Sequence, residues 1–107
     1  MSRFDDVLQE IRAGVVTIAR KEAADFVKQA TDDGQQFLDA LEADLKEWTK
    51  QLAAGRLSAA DFAFLVRGKK DLAEMRALTE AGLAATRIDR IRSAVIDLVI
   101  TAAGKMV

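Results

Sequence analysis

The chain of 107 residues contains no proline, no cysteine, no histidine and no tyrosine. Proline breaks helix interiors because it lacks an amide donor and clashes with the preceding turn. Without it, an alanine-rich chain is biased toward uninterrupted helix. Missing cysteine excludes disulfides, thiolate metal ligation and thiol nucleophiles. Missing histidine removes the usual general base near neutral pH and the commonest transition-metal ligand. With no tyrosine, and with β-branched residues gathered toward the C-terminus, a sheet has little raw material.

A strong charge imbalance and a long apolar run are lacking too. Lys and Arg number 16 against 17 Asp and Glu, a net charge of −1. That is too balanced to attract nucleic acid through bulk electrostatics. The longest apolar stretch, 94–103, is interrupted by Asp97. It falls far short of the ~20 residues that span a bilayer, so no membrane span is expected. The polar, acidic start, Met-Ser-Arg-Phe-Asp-Asp, is followed by no apolar core, so no secretory signal is expected. A cytoplasmic location is the expectation that remains.

Half of the residues are hydrophobic and 31% are charged, which suits one domain over 1–107 with one core. The apolar positions recur with helical spacing throughout, so the fold class is all-α. A first helix is expected over 2–31, with Ser2 as its cap and Asp5 and Asp6 at the positive end of its dipole. Phe4, Leu8, Ile11, Val15 and Ile18 form its stripe, which drifts to Ala19, Ala23, Phe26 and Ala30. Asp32-Asp33-Gly34 reads as its stop. A second helix is expected over 35–54. Leu38, Leu41, Leu45, Trp48 and Leu52 make a coiled-coil seam widened by Phe37, with Trp48 as a core anchor.

Gly55 ends that helix, and 55–58 forms a turn short enough to join antiparallel neighbours. Ser58 then caps a third helix, with Asp61 as the carboxylate of a capping box and Leu57 against Phe62 as a hydrophobic staple. Helical periodicity persists to Gly104, interrupted in propensity only by Gly68 and Gly82. The favoured architecture is therefore an up-down-up three-helix hairpin with coiled-coil-like packing and a long third helix over 58–104. A helix of that length is roughly 70 Å long, against roughly 45 Å for the first. Everything past Gly82 would then overhang, leaving Ile88, Ile91, Val95, Ile96, Leu98, Val99 and Ile100 uncovered. Each such side chain forfeits ~1.5–3 kcal/mol when exposed. The alternative is a four-helix bundle with a break near Gly82, a new cap at Thr86 with Asp89, and the tail folded back.

Function follows from the overhang. The leading expectation is a non-enzymatic structural or interaction protein without cofactor or metal. It would be a homo-oligomer, with a dimer as first guess, assembling through Ile88, Ile91, Val95, Leu98, Val99 and Ala102. It would act as an adaptor or a subunit of a larger assembly with a further protein partner. The alternative is a peripheral protein whose amphipathic helices coat a lipid or granule surface. Arg67, Lys69 and Lys70, with Arg87 and Arg90, are the residues for an anion contact. No aromatic lies among the arginines at 87, 90 and 92 to stack bases, which argues against nucleic acid. Their bland reading is a solvated face with local pairs: Arg67 to Asp71, Lys70 to Glu74 and Arg90 to Asp89. The carboxylate pairs Asp5-Asp6 and Asp32-Asp33 lack any calcium-loop pattern and suit capping and turns.

Overall fold

Leu8, Ile11, Val15 and Ala19 recur at one helical spacing, and their burial decides where the first helix lies. The computed structural model describes residues 3–105; the cap expected at Ser2 lies outside them. Its regular structure is α1 (Arg3–Glu22), α2 (Val27–Ala53), α3 (Ala59–Arg67), α4 (Arg76–Glu80) and α5 (Ala85–Gly104). Single 3-10 turns cover Ala24–Phe26 and Lys70–Leu72. No strand occurs among the described residues.

The helices run antiparallel in sequence order. On α1 and α2, Val15 stands opposite Gly34 and Arg12 opposite Gln35 and Asp39. The segment from α3 to α4 climbs back along α2, with Lys69 at Asp44 and the start of α4 at Asp33. The last helix descends beside α1, with Arg87 at Glu22, Leu98 at Gly14 and Lys105 at Glu10. The molecule is 43 Å long and 26 by 19 Å across.

Two expected boundaries move. The first helix does not run to residue 31. It ends at Glu22, and the chain leaves helical geometry at Ala23 (φ −140°, ψ 53°) and at Phe26 (φ −137°, ψ 38°). Ala23 is fully buried at this corner, where only a small side chain lets the two helices meet. The expected stop at Asp32-Asp33-Gly34 lies inside α2 instead, because both Asp33 and Gly34 serve tertiary contacts. A Cβ on Gly34 would stand 2.5 Å from Val15 Cγ1, so glycine sets the approach of α1 to α2. The carboxylate of Asp33, buried, accepts from the amides of Ala77 (3.0 Å) and Leu78 (2.8 Å). It thereby satisfies two donors at the start of α4 that have no partner within that helix.

The continuous helix over 58–104 is likewise absent. Its start is as expected: Ser58 is extended, its hydroxyl accepts from the Asp61 amide at 3.0 Å, and Phe62 is buried with Leu57 packed on the core. Beyond Gly68 the chain passes through a 3-10 turn, a left-handed Met75 (φ 55°, ψ 45°), the short α4 and Gly82 at φ 88°. The cap expected at Thr86 is not used; Ala84 is extended and α5 begins at Ala85. Burial accounts for the break. Folding back places Ile88, Ile91, Val95, Ile96, Val99, Ala102 and Ala103 in the chain's own core, with Leu98 and Ile100 half-buried against it. At ~1.5–3 kcal/mol for each large side chain, this outweighs the few kcal/mol of helix continuity given up at Gly68 and Gly82.

The seam on α2 is placed as expected at Leu38, Leu41, Leu45 and Leu52, with Phe37 beside it. Trp48 is only half-buried, packed against the core. The neighbouring Thr49 takes the buried place and donates its hydroxyl to the Lys46 carbonyl at 3.1 Å.

Asp33→Ala should lower stability by roughly 3 kcal/mol, since it strands two buried amides. In a thermal melt followed by circular dichroism this is a drop of about 10–20 °C. Hydrogen exchange at Ala77 and Leu78 should quicken first; unchanged protection there would refute the latch. Gly34→Ala should also destabilise, by about 1–2 kcal/mol, although alanine is the better helix former by ~1 kcal/mol. A gain in melting temperature would show that α1 and α2 are not in contact at Val15.

Candidate interaction surface

The six residues expected to form an oligomer interface are not on the surface. Ile88, Ile91, Val95, Val99 and Ala102 are buried and Leu98 is half-buried, all within one chain. The reason is the reversal at Gly82, which covers the stripe with α1. The overhang on which the oligomer expectation rested does not exist. The 94–103 stretch is covered by the same packing.

The five basic residues expected to contact anions divide by the partners that the fold gives them. Arg87 donates to the Glu22 carbonyl at 3.1 Å, bracing the start of α5 against the end of α1. Lys69 pairs with Asp44 at 3.4 Å, tying the end of α3 to α2. Arg67, Lys70 and Arg90 are exposed and form no ion pair with any described residue. The local pairs expected for Arg67 with Asp71, Lys70 with Glu74 and Arg90 with Asp89 do not form. Asp89 is held instead by Arg92, which also donates to the Ala73 carbonyl at 2.8 Å, and Glu74 is held by Arg76 at 2.9 Å. Arg90 stands apart from the other two on α5.

Arg67 and Lys70 are brought together. They line a cleft of about 270 Å³ between the end of α3 and the middle of α5, with Ser93, Ile96 and Asp97 opposite. Lys70 and Ser93 also line an adjoining cleft of about 440 Å³, whose other walls are Asp71, Ala73, Glu74, Asp89 and Arg92. The antiparallel run of α3 and α5 places 67 near 97 and 73 near 92. The walls are polar where the loop passes and apolar at Ile96, which is only 7% exposed.

One residue here is not singled out by motif or spacing. Phe64 is 76% exposed, on α3 one turn before Arg67. Positions three apart share a helix face, so the ring stands beside the cation. Its signal in the sequence is phase: Phe62 and Val66 are four apart and buried, and Phe64 lies between them on the opposite side. Leu72, 40% exposed, belongs to another face, beside Asp33, Gln36 and Met75.

The paired aspartates serve structure. Asp32 bridges to Lys28 at 2.9 Å while Asp33 points the other way into α4. No helix among the described residues is long and apolar enough to cross a membrane. Comparison of the chain with family models, with curated proteins and with solved structures yields no match.

Proposed function

We propose that the chain is a non-enzymatic interaction protein that docks another protein on the α3–α5 face, with Phe64 as the anchor. The observation that carries this reading is the exposure of that ring. Phe37 and Phe62 are buried, and Phe4, Phe26 and Trp48 are packed against the core. Phe64 alone of the six aromatics stands in solvent, forgoing ~2 kcal/mol of burial. Aromatic side chains and arginine are the types that concentrate binding energy at protein interfaces, and Phe64 and Arg67 stand together.

Assembly through the C-terminal helix is not part of this reading. A second copy on the stripe of Ile88, Val95 and Val99 would first have to displace α1. A coat on lipid or granule surfaces would likewise require α5 to leave the bundle.

A photo-reactive phenylalanine at position 64, expressed in the native host, should yield a discrete adduct with one protein, while the same probe at Glu80 should not. With that protein purified, Phe64→Ala should weaken binding at least tenfold, equivalent to about 1.4 kcal/mol. The same change should leave the melting temperature within a few degrees, because surface substitutions seldom exceed ~0.5 kcal/mol. Equal labelling from both positions, or an adduct whose affinity ignores Phe64→Ala, would refute the reading. By light scattering the isolated chain should be a monomer. A dimer dissociated by Phe64→Ala would identify a second copy as the occupant, and one that persists would refute the proposal.

A further inference from the structure

We propose that the cleft between α3 and α5 seats a carboxylate of an acidic peptide segment, held by Arg67 and Lys70 with the Ser93 hydroxyl as a third donor. This rests on the docking reading above and names the partner's chemistry.

Charge is the first argument. Acids slightly outnumber bases in the chain, 17 to 16, and Arg12, Lys28, Lys69, Arg76, Arg92 and Lys105 all have carboxylate partners. Two cations left unpaired on the wall of one cleft are a local surplus that the chain does not neutralise. Guanidinium and ammonium groups with a hydroxyl opposite supply only the donors that a carboxylate needs, and charge-assisted bonds are the strong ones.

The walls then select among anions. Ile96 offers an apolar surface on which the methylenes of a glutamate side chain can lie. Asp97 lines the same cleft and is ionised, an acceptor without a partner among the described residues. It repels a free dianion such as phosphate. It suits a peptide, whose backbone N–H can donate to Asp97 while its carboxylate meets Arg67. Phe64, one turn before Arg67, adds an apolar contact beside the charged one. The combination fits a partner strand or helix carrying glutamate or aspartate next to an apolar residue.

The test uses the full chain, labelled with nitrogen-15, and a capped Glu-Glu-Leu-Glu peptide as the probe. Amide shifts should saturate and be confined to 64–71 and 93–97. Arg67→Gln combined with Lys70→Gln should weaken the apparent affinity at least tenfold without moving the melting temperature. Asp97→Asn should weaken the peptide yet strengthen inorganic phosphate, the opposite signs that a merely repulsive aspartate would not give. Three outcomes overturn the proposal: shifts spread over every basic side chain, a capped Lys-Lys-Leu-Lys peptide binding as well, or phosphate binding as tightly as the acidic peptide. An adduct at position 64 with a partner that ignores the double Gln variant would sink the carboxylate seat and leave the docking face standing. Peptide binding at the cleft without any adduct at 64 would do the reverse.

Discussion

The packing of α5 against α1 is the contact on which the rest of the molecule depends. Residues 88–103 are apolar on most sides, and a helix of that composition has to be covered. Covering it within one chain requires the polypeptide to reverse before residue 85, and this requirement sets the path of everything between α2 and α5. The column from α3 to α4 is short and broken because it must deliver α5 to the top of α1. A straight helix over that span would carry the apolar stripe past the end of the bundle.

Asp33 and Arg92 hold that broken column in place. One reaches from α2 to the amides at the start of α4, and the other from α5 to the Ala73 carbonyl just before it. The loop between α3 and α4 is thus pinned from both neighbours by side chains that meet its unpaired backbone groups. This follows from a general constraint: backbone donors and acceptors that leave helical geometry near a core need new partners. Pinning the loop also fixes the walls of the α3–α5 cleft, since Lys70, Asp71 and Ala73 all belong to it. The surface proposed for docking is therefore a by-product of the reversal. Phe64 and Arg67 face outward there because Phe62 and Val66 face in.

Helical content, the Ser58 cap, the buried seam of α2 and the break available at Gly82 were all legible in the residues themselves. Each rests on local physics: the period of the apolar positions, an extended residue with a hydroxyl before a helix, and a glycine that tolerates positive φ. The first turn was misplaced because Asp32-Asp33-Gly34 has the composition of a helix stop. Nothing local distinguishes that use from a carboxylate reaching across to α4 and a glycine making room for Val15. The corner actually used, at Ala23, has no breaker residue. Its signal was the drift of the stripe from Ile18 to Ala19, which marks a change of neighbour as well as it marks curvature.

What the sequence by itself determined is therefore the kind of element and its buried face, because these follow from spacing along one helix. The tertiary structure alone decided which apolar stripe meets which. That choice turned the six C-terminal residues expected at an oligomer interface into core, and it left Arg67 and Lys70 without the carboxylates that their own helix spacing offered. Pairing between elements depends on distances that no single segment encodes. A stripe that reads as unsatisfied in isolation is satisfied once the chain has room to turn.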